Sequence, residues 1–466
     1  MTPDKDLRKL IFVDGYGGTG RTYLSKAITS KFHSEGKIVL AVASCGIAAL
    51  LLQGGRTAHS RFHIPLILTD ESTCDIKQGT HLAELINNTS LIIWDEAPMA
   101  NKLCFEALDR TLRDILRHKN ENSSEKPFGG MTVVLGGDFR QILPVLPKGR
   151  RHNIVSASIK RSYLWKHFQI LELKKNMRLT CFTDNETEKR HIAEFADWIL
   201  NIGNGTNTSS EGEEWIKIPN DILLKKGNDP KKTIVESIYP NFRQRYRDRE
   251  FLEERAILCP RNETVSEINE YIMDQLEGED TIYRSCDTVC KAVTLNDGID
   301  MLCSKEFLHN LKIPGIPNHE LRLKIGLPVM LMRNINQSAG LCNGTRMTIT
   351  QLGRRFIEAQ IITGTHVGDK VYIPRIIMSP TESAWPFLLK RRQYPISVCF
   401  AMTINKSQGQ SLNKVGLYLP KQVFTHGQLY VAFSRVTKRE GLRVMVDDEE
   451  SKEDDAVKNI VYKEIF

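Results

Sequence analysis

The feature of the sequence that most constrains the fold is a glycine-rich segment, GYGGTGRT, at residues 15–22. It lies between a short apolar run, KLIFVDG, and a stretch of helical periodicity, TYLSKAITSKFHSEG. A strand that turns through glycines into a helix is the setting of a phosphate-binding loop, in which Lys and then Ser or Thr follow the last glycine. Gly15, Gly20 and Thr22 are in register with that pattern, whereas Arg21 stands at the lysine position.

Further strand-and-helix units follow this segment along the chain. The apolar run KIVLAVA (37–43) leads into SCGIAALLLQGG, which predicts a helix ended by Gly54 and Gly55. SLIIWDEA (90–97) indicates a buried strand, FEALDRTLRDILRH an amphipathic helix, and MTVVLGGDFRQ another strand that ends in a polar turn. Strands that alternate with helices predict a parallel, doubly wound α/β sheet over residues 1 to about 180, with ligands at the carboxyl ends of its strands.

The length and composition indicate a globular protein of more than one domain. A chain of 466 residues exceeds what one hydrophobic core usually organises, so we expect two or three domains. No run approaches the ~20 apolar residues that a membrane-spanning helix needs, and the first residues lack the pattern of a secretion signal. Ten scattered cysteines favour reduced, structural thiols over a zinc site or a disulfide framework.

The second half of the chain predicts another α/β unit that carries a β insertion. Polar, turn-rich residues 203–232 predict a linker, and ERAILCPRNETVSEINEYIMDQL then has the pattern of strand, turn and helix. Short alternating runs at 341–395 predict a small β module, after which ISVCFAMTINKSQGQSL and VGLYLPKQVFTHGQLYVAFSRV return to strand, turn and helix. We therefore expect a first domain at 1–180, the inserted module, and a second domain formed by 181–340 and 396–466.

Charge is unevenly distributed along the chain. The formal net charge is +8, and residues 321–420 carry 13 Lys and Arg against three acidic residues. A basic excess near aromatic residues suits a polyanion such as nucleic acid, but a solvated basic surface would have the same composition, so charge alone leaves both interpretations open. The acidic end of the chain, VDDEESKEDDAVKNIVYKEIF, is expected to be a solvated tail rather than a motif.

A pair of acidic residues supports the phosphate-loop interpretation. Asp95 and Glu96 end an apolar strand later in the chain. Triphosphate hydrolysis needs backbone N–H groups and a cation around the phosphates, a hydroxyl and a carboxylate for Mg²⁺, and a group that aligns the attacking water. The loop with Thr22, then Asp95, then Glu96 can supply these parts. The alternative is that the two acidic residues merely face solvent at the end of a strand.

Seven motifs, in order, carry a resemblance to a known family: DGYGGTGRT, ASCGIAALLLQGGRTAHS, IIWDEAPM, VVLGGDFRQILPV, KNMRL, FAMTINKSQGQSL and LYVAFSRV. Over about residues 11–446 the chain resembles the Pif (petite integration frequency) group of superfamily 1B DNA helicases, which includes those of Helitron transposons. The resemblance implies a P-loop NTPase with two RecA-like (RecD-like) α/β domains and an SH3-like β insertion at 341–395. A small-molecule kinase or a transporter ATPase would give no role to GRTAHS or NKSQGQS.

The resemblance implies a role for each residue of the nucleotide site. ATP would be bound by the loop residues Gly15, Gly17, Gly18, Thr19, Gly20, Arg21 and Thr22. Mg²⁺ would be held by Thr22 and Asp95. The catalytic residues would be Asp95, Glu96, Gln141, Arg178 and Arg435. Gln141 would contact the γ-phosphate and the attacking water, and Arg178 and Arg435 would be arginine fingers from opposite sides of the cleft, since a guanidinium fork suits phosphoryl oxygens.

The resemblance also implies a nucleic-acid partner and a direction of movement. The sugar-phosphate backbone of DNA would be held by Thr57, His59, Ser60, Thr403, Lys406, Ser407 and Gln408. A short excursion at about 61–85 would be a wedge-like subdomain near the fork. The implied activity is ATP-dependent 5′-to-3′ movement on single-stranded DNA that unwinds forked duplex. A monomer would perform it, in DNA repair, recombination and telomere maintenance. A nuclear location is expected only from the DNA partner and from the absence of other signals in the sequence.

Two departures from the family pattern leave the activity of this chain open. Arginine is long and planar where lysine is a compact point charge, so Arg21 predicts bound ATP with weak turnover. The strand KLIFVDG begins close to Met1, so we expect the upstream helices and their adenine-holding glutamine to be missing. The sequence therefore favours an active DNA helicase, with an ATPase-impaired, DNA-binding remnant of a Helitron-type helicase as the alternative.

Overall fold

The structure is a computed structural model that describes residues 10–119, 121–181, 185–207, 214–291, 304–380, 387–448 and 455–466. It contains two α/β lobes, each built on a parallel sheet, and a body of antiparallel strands inserted in the second lobe. Within the described residues, no helix combines the length and the apolar character needed to cross a membrane.

The first lobe is built on a six-stranded parallel sheet. Its strands are β1 (Leu10–Gly15), β2 (Ile38–Ala43), β3 (Arg56–Thr57), β4 (Thr89–Asp95), β5 (Thr132–Gly137) and β6 (Phe168–Leu173). Their order in the sheet is β3-β2-β4-β5-β1-β6. Because β5 pairs in parallel with both β1 and β4, the glycine-rich loop after β1 and the acidic pair after β4 leave the same edge of the sheet.

Helices cover the two faces of this sheet. They are α1 (Arg21–Ser34), α2 (Gly46–Leu50), α3 (Ala58–Phe62), α4 (His81–Asn88), α5 (Lys102–Leu116), α6 (Arg151–Ala157) and, after β6, α7 (Arg178–Cys181). Alternate residues of β1 serve the two faces, since Phe12 joins the core beneath α5 and Val13 packs with the residues beneath α1. The predicted doubly wound α/β architecture is confirmed.

The second lobe has a smaller parallel sheet. Its strands are β8 (Arg255–Cys259), β19 (Ala401–Thr403), β20 (Lys414–Leu419) and β21 (Leu442–Val446), in the order β19-β8-β20-β21. Its helices are α8 (Glu186–Asn204), α9 (Pro230–Ile238), α10 (Phe242–Arg245), α11 (Arg249–Glu253), α12 (Asn262–Gln275) and α14 (Gln428–Phe433). The helix predicted after β19 is wrong, because a 3₁₀ turn, Ile404–Ser407, forms there and Gly409 has a φ of 80°, which ends helical geometry.

In its described residues, the inserted body consists of antiparallel strands and one short helix. A five-stranded sheet has the order β15-β14-β13-β12-β18, formed by β12 (Pro328–Leu331), β13 (Arg346–Leu352), β14 (Phe356–Ile361), β15 (Lys370–Pro374) and β18 (Ile396–Val398). Smaller sheets are formed by β9 (Thr281–Arg284) with β11 (Glu320–Leu323), and by β10 (Cys286–Lys291), β17 (Phe387–Gln393) and β16 (Ile376–Met378), with α13 at Lys305–Asn310. The antiparallel structure therefore begins at Thr281, earlier than the expected 341, because β9 and β11 have only four residues each and β10, CDTVCK, does not alternate apolar with polar residues.

The end of the chain crosses from the second lobe to the first. Strand β22 (Ala456–Lys458) pairs with β7 (Trp215–Lys217) in the second lobe, and Ile465 is fully buried in the core of the first. Glu464 accepts two hydrogen bonds from Arg151 at 2.7 and 3.0 Å. The expectation of a solvated tail is therefore wrong for residues 455–466, since their apolar side chains supply core contacts. Residues 449–454, which hold most of the acidic run, lie outside the described residues.

Candidate nucleotide and nucleic-acid site

The glycine-rich loop leaves β1 and turns directly into α1. Gly18 has a φ of 98°, in the left-handed region that favours glycine. The hydroxyl and the N–H of Thr19 both donate to the carbonyl of Tyr16, at 2.9 and 3.2 Å. The loop borders a cavity of about 300 Å³ lined by Tyr16, Gly17, Gly18, Gly20, Arg21, Thr22, Met177 and Arg178. Backbone N–H groups in a turn before a helix N-terminus suit a phosphate group.

The arginine at the lysine position contacts the acidic pair at the end of β4. Arg21 Nη2 donates to Glu96 Oε1 at 2.9 Å, and Arg21 Nη1 lies 3.9 Å from Asp95 Oδ1. The Arg21 side chain is only 11% exposed, and its buried Nη1 has no hydrogen-bond partner within the described part of the chain. The cation predicted to meet the phosphates is thus paired with the predicted catalytic carboxylates.

Burial and the neighbouring opposite charges shift the pKa values of Arg21 and Glu96 in opposite directions. Burial raises the pKa of the Glu96 carboxyl, against the opposing charge of Arg21 and with a further contribution from Asp95. Burial alone would lower the pKa of Arg21, but the two carboxylates outweigh it and the net shift is upward. Glu96 also has a φ of 52°, and its N–H donates to Asp95 Oδ1 at 2.9 Å. A non-glycine residue in this region stores backbone strain, which is common at functional sites.

A second cation, Arg178, lines the same cavity. The N–H of Met177 donates to the carbonyl of Gly18 at 2.9 Å, so the NMRL segment is tied to the loop. The Arg178 side chain lies against Gly18, where an added Cβ would come within 3.1 Å of Nε. Burial lowers the pKa of Arg178, and among the described residues no carboxylate lies at ion-pair distance from it. Such a cation is suited to a bound anion.

Arg435 lies in the second lobe, two residues after the end of α14. Its guanidinium donates hydrogen bonds of 2.8–3.2 Å within its own lobe, to the carbonyls of Val431, Ser407 and Gln410 and to Ser434 Oγ. Burial and the charge of Arg178 lower the pKa of Arg435 to about 10, while Glu96 opposes this shift. The two predicted arginine fingers therefore lie close enough, across the cleft, to influence one another.

The two lobes are joined at the residue predicted to contact the γ-phosphate. Gln141, in the turn after β5, accepts a hydrogen bond of 2.8 Å on its side-chain oxygen from Gln408 Nε2. Both side chains are buried, at 4% and 2% exposure. Gln408 belongs to the NKSQGQ motif, so this hydrogen bond joins a residue predicted to contact DNA to the residue predicted to contact the γ-phosphate.

The predicted DNA-contacting residues of the first lobe lie on β3 and α3. Thr57 is buried, and its hydroxyl accepts a hydrogen bond of 3.2 Å from Gln337 of the inserted body. His59 Nε2 lies 3.9 Å from Cys104 Sγ, and burial lowers the pKa of this imidazole. Ser60 is exposed. These three residues thus lie on one short segment but differ in solvent exposure, and therefore in how accessible they are to a DNA strand.

The corresponding residues of the second lobe surround the 3₁₀ turn after β19. Thr403 is 8% exposed at the start of the turn. The Lys406 amine lies 3.4 Å from Met332 Sδ, and burial lowers its pKa. Ser407 is fully buried and its hydroxyl donates to the carbonyl of Ile404 at 2.7 Å, so it stabilises the turn from within.

Comparisons with known proteins agree with this cleft and these motifs. A family model described as PIF1-like helicase matches residues 4–213, and one described as DNA helicase Pif1, 2B domain, matches residues 306–352. Over these two stretches the chain is similar to PIF1-like helicases. A further model, described as Helicase, matches residues 382–462. The match at 306–352 falls within the antiparallel body.

Individual relatives are distant but match along most of the chain. The ATP-dependent DNA helicase PIF1 of Xenopus laevis is 28% identical and that of Homo sapiens 26%, each over 93% of this chain. The chain spans 58% of the length of these curated relatives. A Bacteroides Pif1 bound to single-stranded DNA is 26% identical, with a TM-score of 0.65, over 94% of this chain and 88% of that one. A structure of two coordinating Pif1 helicases at forked double-stranded DNA has a TM-score of 0.64 at the same identity and coverage.

Several residues that join the two lobes of this PIF1-like chain are not predictable from the sequence. Asp138 accepts a hydrogen bond from Tyr430 at 2.7 Å, and His426 contacts the carbonyl of Phe139 at 2.7 Å. Asp138 and Tyr430 lie inside two of the quoted motifs, GGDFRQ and LYVAFSRV, but nothing in the sequence says that these motifs meet. His426 gives no local signal, because its role depends on a backbone carbonyl of the other lobe.

Proposed function

We propose that this chain is an ATP-dependent DNA helicase that moves 5′ to 3′ on single-stranded DNA and unwinds duplex. The observation that carries the proposal is the hydrogen bond between Gln141 and Gln408. Gln141 is the residue proposed to contact the γ-phosphate, and Gln408 belongs to the motif proposed to hold the strand. This one contact would therefore couple hydrolysis to DNA binding. Relatives of this fold that bind single-stranded and forked DNA support the choice of partner.

The nucleotide would lie along the glycine-rich loop. Its β and γ phosphates would meet the backbone N–H groups of residues 17–20, with Arg178 as a cation from the side. Arg435 belongs to the other lobe and would approach the γ-phosphate only when the lobes are closed. Hydrolysis would then depend on closure, because a preorganised cation stabilises the charge that develops in the transition state.

Glu96 is the group proposed to align and deprotonate the attacking water. Its raised pKa, which comes from burial, makes it a better base than an exposed carboxylate. Its contact with Arg21 opposes that role, since a paired carboxylate accepts a proton less readily. In this mechanism Arg21 must move from Glu96 toward a phosphate oxygen before the water is activated.

Mg²⁺ fits the oxygen donors present beside the loop. The hydroxyl of Thr22 and the carboxylate of Asp95 are hard ligands of the kind magnesium prefers, and the Glu96 N–H orients the Asp95 carboxylate by donating to Oδ1 at 2.9 Å. When bound, the ion would neutralise negative charge on the β and γ phosphates.

Movement along the strand requires that the open and closed lobes bind DNA differently. In the first lobe Thr57, His59 and Ser60 would hold the sugar-phosphate backbone, and in the second Thr403 and Lys406 would do so. The Lys406 amine lies against a thioether, which is a weak partner, so a phosphate would be a far stronger one. Ser407 would act by holding the turn, and Gln408 by joining the turn to Gln141.

The fork would be separated at the excursion between α3 and α4. Leu66 and Ile67 in this segment are 75% and 71% exposed. Exposed apolar side chains beside a strand-binding surface can stack against the last base pair of a duplex, so this segment is the proposed wedge. The basic residues of the inserted body would contribute non-specific attraction to DNA.

The decisive experiment compares two duplexes that differ only in the polarity of a single-stranded tail. We expect ATP-dependent unwinding of the 5′-tailed duplex and none of the 3′-tailed one. Glu96→Gln serves as the control without hydrolysis, since it keeps the size of the side chain and removes the base. Unwinding of the 3′-tailed duplex would refute the polarity, and strand binding without unwinding of either duplex would refute the helicase.

The second candidate function is that of an ATPase-impaired, DNA-binding remnant of a Helitron-type helicase. The observation that favours it is the pairing of Arg21 with Glu96 and Asp95, which occupies the proposed base. This candidate predicts tight binding of a fluorescent ATP analogue and of single-stranded DNA, with no ADP formed. Measurable ADP formation that rises with single-stranded DNA would exclude it.

The cellular role is proposed from the family resemblance, and the location from the DNA partner. We place the protein in the nucleus as a monomer that acts in DNA repair, recombination and telomere maintenance. Imaging of the tagged full-length protein and sedimentation with and without forked DNA test the location and the assembly. Exclusion from nuclei, or a stable dimer without DNA, would contradict these assignments.

A further inference from the structure

One turn of the first lobe, residues 138–141, is held by the second lobe at each of its four residues. The pairs are Asp138 with Tyr430, Phe139 with His426, Arg140 with Asn204, and Gln141 with Gln408. The first three contacts measure 2.7 Å and the fourth 2.8 Å. The turn follows β5 directly and carries the residue proposed to contact the γ-phosphate. Its placement therefore depends on the second lobe.

Asp138 is the centre of this turn. Its carboxylate is fully buried, and Oδ2 accepts the Tyr430 hydroxyl proton while Oδ1 accepts from the N–H and the Nη1 of Arg140, at 3.1 and 3.2 Å. The N–H of Gln141 donates to the Asp138 carbonyl at 3.1 Å. Burial and the Asp138 charge raise the pKa of Tyr430 well above its usual value, so the phenol remains the donor. A hydrogen bond to a buried carboxylate is among the stronger neutral-to-charged contacts.

The lobes approach one another closely around this turn because a glycine stands opposite it. Gly427 has a φ of 74°, and an added Cβ would come 2.4 Å from the carbonyl oxygen of Arg140. Gly203 at the end of α8 also faces the turn, since a Cβ there would come 3.0 Å from Cδ of Arg140 as well as 2.7 Å from the ring of Tyr430 in its own lobe. The Tyr430 hydroxyl can therefore reach Asp138 only while the two lobes are in contact at this point.

We infer that Tyr430 and Asp138 are positioning residues that make the placement of Gln141 depend on closure of the lobes. The inference rests on the proposed function, because it concerns the hydrolysis that this function requires. When the lobes are closed, the Tyr430 hydroxyl fixes Asp138, Asp138 fixes the turn, and the turn presents Gln141 to Gln408. When they separate, Asp138 loses this donor and Gln141 loses its partner together. Hydrolysis and strand grip are thereby tied to the same contact.

The test replaces Tyr430 by Phe, which removes one oxygen and keeps the ring against Gly203. The matched control is Tyr418→Phe, because Tyr418 donates to Asp447 at 3.0 Å wholly within the second lobe. Both variants lose a hydrogen bond from tyrosine to aspartate, but only Tyr430 joins the lobes. Each is made in the native chain and in Arg21→Lys, so that slow turnover by the native chain does not hide the effect.

We expect Tyr430→Phe to lower the kcat of DNA-stimulated ATP hydrolysis by about 10-fold or more, since small misplacements of a catalytic group are costly. We expect the KM for ATP to stay within about 2-fold, since ground-state binding is unaffected, and the ATP hydrolysed per base pair unwound to rise. Tyr418→Phe should lower thermal stability and leave kcat and coupling unchanged. Equal kcat and equal coupling in the Tyr430→Phe, Tyr418→Phe and parent proteins would overturn the inference.

A second measurement tests the positioning role without relying on ATP hydrolysis. Small-angle scattering with ADP and aluminium fluoride reports closure of the lobes, and Tyr430→Phe should leave a larger radius of gyration than Tyr418→Phe. If Arg21→Lys does not hydrolyse ATP, the proposed function fails and the scattering result alone judges the contact. An unchanged radius in Tyr430→Phe would then overturn the positioning role.

Discussion

Two buried arginines of this molecule pair with carboxylates, and they differ in how fully their hydrogen bonds are satisfied. Arg391, in the inserted body, is 0% exposed and contacts the Asp287 carboxylate at 2.8–3.1 Å. Its remaining donors reach the carbonyls of Leu308, Leu311 and Pro317. Arg21 has one hydrogen bond to Glu96 and a 3.9 Å approach to Asp95, and its Nη1 has no partner among the described residues.

This difference separates a structural ion pair from a site that can exchange partners. Every donor of Arg391 is satisfied, so any other arrangement would cost hydrogen bonds. Arg21 lines the cavity and its Nη1 has no hydrogen-bond acceptor among the described residues. A phosphate oxygen could accept that hydrogen bond, whereas Asp95 lies too far away to do so. We therefore propose that the Arg21 contact changes when nucleotide binds, whereas the Arg391 contact stabilises the fold.

The largest expected loss of stability comes from breaking the pair of Arg391 and Asp287, in which every arginine donor has a partner. Arg391→Ala leaves the Asp287 carboxylate buried and uncompensated, and we expect the free energy of unfolding to fall by about 3–5 kcal/mol. Urea denaturation monitored by tryptophan fluorescence measures this change. The control is Arg284→Ala, because Arg284 and Glu320 form an exposed pair worth at most about 1 kcal/mol. Equal losses in the two variants would show that Arg391 does not stabilise the fold in this way.

A third buried basic side chain, His426, is expected to make the free energy of unfolding depend on pH. Its Nδ1 accepts the Tyr462 N–H at 2.9 Å, its Nε2 donates to the Phe139 carbonyl at 2.7 Å, and burial lowers its pKa to about 4. The folded protein thus binds this proton more weakly than the unfolded chain, whose histidine pKa is about 6.5. Its contribution to stability, about 3 kcal/mol, is complete above pH 6.5 and is lost as the pH falls through 4.

The measurement is the free energy of unfolding between pH 7 and pH 4 for the native chain and for His426→Gln. Glutamine keeps one donor and one acceptor but does not titrate, so its profile should be flatter by the contribution of one proton. Parallel profiles would show that His426 does not carry this dependence.

The smallest expected change in stability comes from removing the side chain of Arg21, which has an unpaired donor beside its hydrogen bond to Glu96. Arg21→Met removes one hydrogen bond from Glu96, whose pKa is already raised by burial, so Glu96 can take up a proton. We expect a loss of about 1–2 kcal/mol, smaller than for Arg391→Ala. The same urea experiment compares them, and a loss as large as that of Arg391→Ala would erase the distinction between the two pairs.

Local patterns predicted much of this architecture. The runs KLIFVDG, KIVLAVA and SLIIWDEA became β1, β2 and β4, because continuous apolar segments between turns suit a parallel sheet covered on both faces. The acidic pair and the glycine-rich loop were expected at one edge, and both lie there. These features depend only on residues close in sequence.

Features that depend on distant contacts were not predictable in the same way. The side chain of Arg21 pairs with an acid 75 residues away, and the Asp138–Tyr430 contact joins positions 292 residues apart. The end of the chain looked solvated from its acidic run, yet Ile465 is buried in the other lobe. In each case the partner, rather than the local pattern, sets the position of the side chain.

The central claim is that a nucleotide cleft drives strand movement in this chain and that Arg21 slows it by pairing with Glu96. The most direct measurement is the rate of ATP hydrolysis with and without single-stranded DNA, for the native chain and for Arg21→Lys. We predict stimulation by DNA in both proteins and a rate about 10²-fold higher in Arg21→Lys, because lysine leaves Glu96 for the water. Equal, fast rates would contradict the slowing, and no hydrolysis by Arg21→Lys would contradict the cleft itself.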